Sequence, residues 1–297
     1  MFFALVTGFY IEASQSDTCK QRIIDLLYSI PEKDRQEIED LFSYLFKYQA
    51  FAYSLYGDKP ITFSDQILTG FSSDQCLKFL SLQEYCQEKL EPYCEPEISL
   101  NQKWETWKKY RYLFNLKNYF LTDKILTNKS RIFLINKKYF LQVFTQNVDL
   151  FNQVLGQEIS PEDLLNKIIW SKVSLFNLLN NNEGLLGILL GFGRHNAMLF
   201  QEREDLTDQL EINKCIILKH LSPVQKKLEW VEEKLQPFRE HDPYIISSIN
   251  RVCFAADPSH YETHLLRSKY DELNKKINEI YFKDDWFEQT LIQLTAD

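Results

Sequence analysis

Apolar positions recur at helical spacing through most of the chain. After Pro31, the residues Ile38, Leu41, Phe42, Leu45 and Phe46 fall at i, i+3, i+4, i+7 and i+8, one face of an α-helix. Ile23, Ile24, Leu26 and Leu27 predict a helix over 17–29, and Ser72 or Ser73 is placed to cap another that runs to Leu90 and ends before Pro92 and Pro96. A long helix is expected over 101–120. Ser160-Pro161-Glu162-Asp163 supplies a cap, a proline at the first position and acids near the positive end, predicting a helix through 164–179. Ser222-Pro223 opens a helix through Trp230 to Leu235, stopped at Pro237. The stretch 259–281 reads as an amphipathic helix with Leu265, Leu266, Leu273 and Ile277 inward, and 287–294 as a last short one.

Strand signals are fewer. Gly57 and Pro60 bracket a turn between two β-like runs at 52–55 and 61–63, and 252–255 reads as a short strand. The best hairpin signal is 131–144, where 131–135 and 139–144 flank the polar Asn136-Lys137-Lys138. Both runs are apolar on both faces, which implies strands covered by helices. The expectation is a predominantly helical α+β fold, with about nine helices around a small sheet containing one β-hairpin at 131–144. Without an internal repeat or low-complexity linker, 17–297 reads as a single globular domain, and 1–16 as a vestigial export segment or disordered N-terminus.

Composition supports this picture. With 22 Phe and 16 Tyr against 2 Met and 8 Gly, the core is built from rings and aliphatics, and low glycine favours helices. A net charge of −8 argues against nucleic acid as a partner, because phosphate binding draws on Lys and Arg. In the most basic stretch, 103–111, Trp104, Trp107 and Tyr110 stand at near-helical spacing and read as a buried face with solvated lysines behind it. Residues 1–11 are apolar but have no preceding basic residue, and no stretch reaches the length of a membrane span. Localisation is therefore cytoplasmic by default, or exported if a longer N-terminus exists. The six cysteines, at 19, 76, 86, 94, 215 and 253, form no Cys-x-x-Cys pair and read as free thiols.

Two segments carry candidate chemistry. In the first, Gly187 to Ala197, a Gly-x-Gly step follows an apolar run, as in loops whose amides approach a pyrophosphate at a helix start. The third glycine is replaced by Asn196-Ala197, so the structural reading is a bend at Gly191 and Gly193 before a helix. The candidate ligand-binding residues there are Gly191, Gly193, Arg194, His195 and Asn196, with Arg194 and His195 placed to meet an anion. In the second segment, His260 and His264 are spaced i, i+4, which suits two transition-metal ligands on one helix face. Glu262 lies between them at a position that differs from the zincin pattern, and solvated histidines are the plainer reading. No cofactor is otherwise predicted, and no nucleophile elbow, P-loop or kinase motif is present.

The stretches Leu55-Tyr-Gly-Asp-Lys-Pro60, 185–197, Ala255-Ala-Asp-Pro258 with Glu262-Thr263, and Asp285-Trp-Phe-Glu-Gln-Thr-Leu291 make the chain resemble a group of proteins from chlamydia-like intracellular bacteria. The resemblance implies a bacterial source and often an export or lipoprotein signal. It carries no catalytic residues over. Acidic charge and absent catalytic motifs favour a non-enzymatic interaction or accessory protein of a host-associated bacterium, with a protein partner. The alternative is a binder of a small ligand or metal, or an enzyme, using 191–197 with His260 and His264. Convergence of those two segments would favour the alternative.

Overall fold

The computed structural model describes residues 20–66, 68, 97–213, 222–238, 252 and 254–296. Among them 66% are helical, in thirteen α-helices with a small antiparallel sheet, which is the predominantly helical α+β class expected. The segment 1–16, the expected helix from Ser72 or Ser73 to Leu90 and the six cysteines lie outside the described residues. Among the described residues no helix is long and apolar enough to cross a membrane.

The chain begins with α1 (20–28), α2 (Glu32–Phe42, prolonged by a π-helical stretch Ser43–Tyr48), α3 (Phe51–Leu55) and β1 (Ile61–Phe63). After α4 (Glu97–Tyr110) come β2 (Tyr119–Ile125) and β3 (Ser130–Asn136). Then follow α5 (Lys137–Gln146), α6 (Val148–Leu155), α7 (Pro161–Trp170), α8 (Leu175–Leu178), α9 (Glu183–Leu189) and α10 (Arg194–Asn213). The chain closes with α11 (Ser222–Lys234), the paired two-residue strands β4 (Gln236–Pro237) and β5 (Ala255–Ala256), α12 (Tyr261–Tyr281) and α13 (Trp286–Thr295).

β3 is the middle strand, antiparallel to both neighbours, with Ile135 opposite Ile61 on one side and Phe120 on the other. Its alternation divides the interior. Ile132 and Leu134 enter a cluster with side chains of α1–α4, α12 and α13, while Phe133 and Ile135 enter a second cluster with α5–α9. A strand covered on both faces must be apolar at every covered position, which is why 132–135 lacks the period-2 pattern.

Five expectations are corrected. The helix expected through 164–179 ends at Trp170, where Ser171 turns extended, and Leu175–Leu178 is a separate short helix. The hairpin partner of β3 is β2, and 139–144 is helical rather than the second arm of a hairpin at 131–144. Asn136 caps α5 by accepting a hydrogen bond from the Tyr139 N–H, and both edges of β3 are already paired. The 52–55 run is helical as α3; all five of its residues are buried, so no periodicity marks it. The helix expected over 101–120 ends at Tyr110, and Tyr119 and Phe120 belong to β2. Leu265 is 52% exposed, while Ile277 is buried. Other expectations hold: Ser160 accepts from the Asp163 N–H, and Trp104 and Trp107 are buried, with Trp104 Nε1 donating to Asp123.

Candidate functional site

The loop between α9 and α10, Leu190 to Gly193, lies at the seam of the two clusters, and Phe192 packs against both. Gly191 and Gly193 take φ of +77° and +83°, the left-handed region that strains any residue with a Cβ. Space is equally short, since a Cβ at Gly193 would stand 2.6 Å from the Glu262 carboxyl carbon. Gly187 permits a close approach between helices, because a Cβ there would meet the Ala197 Cβ at 2.9 Å.

Three groups fasten this loop. Lys59, buried ahead of β1, donates from Nζ to the carbonyls of Ile61 (3.1 Å) and Leu190 (2.5 Å). Among the described residues it has no ion-pair partner. Burial, with the Lys269 charge adding to it, pushes its pKa down to about 7. The Tyr270 hydroxyl donates to the Gly191 carbonyl at 2.8 Å. Asn196 Nδ2 donates back to the Phe192 carbonyl at 3.1 Å.

The two segments singled out in the sequence meet here. Glu262, in the first turn of α12, accepts from the backbone N–H of Arg194 (2.9 Å) and of His195 (2.8 Å), the leading amides of α10. Asn196 Oδ1 accepts from the Asp257 N–H and the Thr263 hydroxyl, both at 3.0 Å. The His195 ring stacks on His260 with centroids 3.6 Å apart, and its Nε2 lies 3.4 Å from Asp257 Oδ2. Burial would raise the Asp257 carboxyl, but hydrogen bonds from Ser259 and His195 and the Lys234 charge outweigh it and hold the pKa low.

Gly193, His195, Asn196 and His260 are therefore neighbours. The Arg194 guanidinium turns outward to a bidentate pair with Asp149, at 3.1 and 2.8 Å. The helix-face geometry expected of His260 and His264 is not formed. His260 is the cap before α12, in extended conformation, and its Nδ1 accepts from the Glu262 N–H, while His264 is exposed. Among the described residues no three His, Cys, Asp or Glu side chains are grouped as a metal site. Sequence reasoning did not select Lys59, Asp257 or Glu262 as part of a site with the loop. Lys59 sits in a Gly-Asp-Lys-Pro stretch that reads as an ordinary turn; Glu262 had a signal in its place on a first helical turn.

Beside the loop is a cavity of about 190 Å³, walled by Leu186, Gly187, Leu190, Phe192, Phe200 and Phe254. Asn196 touches both the cavity and the polar cluster, and among the described residues Glu183 is the one ionisable side chain in the lining. Burial, with the Glu204 charge adding to it, raises the Glu183 carboxyl. The aromatic faces are largely taken. Phe254 is stacked between Phe192 at 4.4 Å and Phe238 at 4.2 Å, and the Arg203 guanidinium lies 4.2 Å over Phe200. No family model, curated protein or solved structure matches the chain.

Proposed function

We propose that the protein binds a small apolar molecule, about the size of one aromatic ring, in the cavity between α9, α10 and the segment before β5. The carrying observation is the cavity itself, about 190 Å³ with leucine and phenylalanine walls, on a loop fastened by Lys59, Tyr270 and Asn196. A void of about 150 Å³ lined by Leu, Ile and Phe accepts benzene, so a compact hydrocarbon fits a cavity of this size. Glu183, whose carboxyl burial pushes above its ordinary value, offers one hydrogen-bonding point and lets the ligand carry one polar group. A cationic ligand is disfavoured because ring faces, the electron-rich side of a phenyl group, are occupied. The meeting of the two sequence segments supports this reading over an accessory role without a ligand.

Calorimetric titration with indole, toluene and cyclohexanol tests it. Saturable binding at one site per chain is expected. Leu186→Phe, which fills the void, should abolish it, and Arg194→Ala, whose side chain points to Asp149, should leave it unchanged. Absence of saturable binding across the panel rejects the reading.

A further inference from the structure

A second concavity lies on α7, away from the loop site. The buried face of this helix carries Leu164, Leu165, Ile168 and Ile169. Asp163, Asn166, Lys167 and Trp170 stand at i, i+3, i+4 and i+7 on the opposite, exposed face. A stripe of that kind is expected to be polar throughout, and an indole at its end breaks the rule without serving the core. Trp170 is 73% exposed. A local rule broken while most of the ring stays in solvent points to use of the side chain.

The indole is also held in place. Phe120 meets it edge to face, with centroids 5.9 Å apart at 87°, and the Lys137 ammonium lies 4.6 Å over Phe120. Lys124 Nζ donates to the Ser171 carbonyl at 2.8 Å, just past the end of the helix, fixing the segment that follows. Beside the ring opens a basin of about 690 Å³ lined by Gln157, Glu158, Asp163, Asn166 and Lys167. Among the described residues the side chains of Gln157, Glu158 and Asn166 take no hydrogen bond, so their amide and carboxylate groups stand ready for a ligand.

We infer that this basin is a carbohydrate-binding site, with one pyranose face resting on Trp170 and its hydroxyls bonded by Gln157, Glu158 and Asn166. A pyranose face presents polarised C–H groups that suit the negative face of an indole. Each hydroxyl both donates and accepts, and side-chain amides do the same, while carboxylates accept. A phosphate-bearing ligand is opposed by Glu158 and Asp163. A methylated ammonium would also suit an indole beside two carboxylates, but Lys167 stands in the same basin.

The test uses the full chain in saturation-transfer NMR and calorimetry with gluco-oligosaccharides, N-acetylglucosamine oligomers and manno-oligosaccharides, and with choline as the cationic arm. Saturable binding of at least one saccharide series is expected. Trp170→Ala, at a surface position, should weaken it about tenfold, the worth of a ring contact, and Trp170→Phe should restore part of the loss. Asn166→Ala provides a second, independent loss on a residue that packs nothing. No saccharide binding, binding of choline alone, or saccharide binding that Trp170→Ala and Asn166→Ala leave unchanged overturns the inference. Because the probes are sugars and the variants lie on α7, failure here leaves the hydrocarbon titration at the loop cavity unaffected.

Discussion

The two sides of the sheet are built differently. One cluster collects side chains from 23–134 and again from 238–294, and rings dominate its centre. Phe42 meets Phe46, Trp107 and Phe287, Trp107 stacks on Phe114, and Tyr53 meets Tyr270 edge-on. The other takes every buried member except Ile61 from 133–197 and is mainly leucine and isoleucine around Phe140, Phe144 and Phe151. Rings bury large areas with directional contacts, which suits elements brought together from far apart in the chain. The contiguous cluster needs little loop closure, so its contacts can form early. The candidate loop site occupies the junction of the two, where Phe192 touches both.

The strongest way to break this contrast is to empty each core in turn. Phe144→Ala and Trp107→Ala remove fully buried rings, and each should cost about 3–5 kcal/mol in urea unfolding. The contrast predicts that Phe144→Ala chiefly slows refolding while Trp107→Ala chiefly speeds unfolding. Stopped-flow measurements giving the same partition for both would remove the kinetic distinction. A smaller effect sharpens the junction. Gly193→Ala strains a left-handed residue and drives a methyl into Glu262, and should cost on the order of 1–3 kcal/mol by thermal unfolding. If the junction couples the cores, that variant will also broaden or split the transition.

A third effect, graded by pH, belongs to Lys59, whose pKa falls from 10.5 to about 7 on folding. Between those values the unfolded chain holds the proton and the folded chain releases it. The contribution of Lys59 to stability therefore rises as pH increases from about 7 toward 10.5, by at most about 1.4 kcal/mol per pH unit, and is flat below that window. Lys59→Met should erase this slope in the difference between the two proteins' stability curves. Parallel curves for the two proteins over pH 7 to 10 would show that the amine stays charged in the fold.

Helices with an apolar stripe or a standard cap were legible in the sequence, as Ile38 to Phe46 and the Ser160 cap of α7 illustrate. Elements buried on all sides were not, because no face contrast remains; α3 was read as a strand for that reason. Asn136 served equally well as a turn residue or as a helix cap, and only the pairing of both edges of β3 decides between them. At the candidate site, both glycines and the two histidine-bearing segments could be picked out one by one. Their meeting depends on contacts between residues about 65 positions apart, such as Asn196 with Asp257 and Thr263, which local pattern does not encode.

Glu262 has a consequence for selectivity. The free amides at the start of a helix attract phosphate and other anions from solution. At α10 that position is already filled by a carboxylate belonging to the same chain, carried on α12. A tethered competitor of this kind acts at an effective concentration in the millimolar range or above. A dissolved anion must outcompete it and also leave a displaced carboxylate to find other partners. The protein thus keeps a glycine-marked helix start while screening it from the nucleotides and phosphates that such a start would otherwise collect.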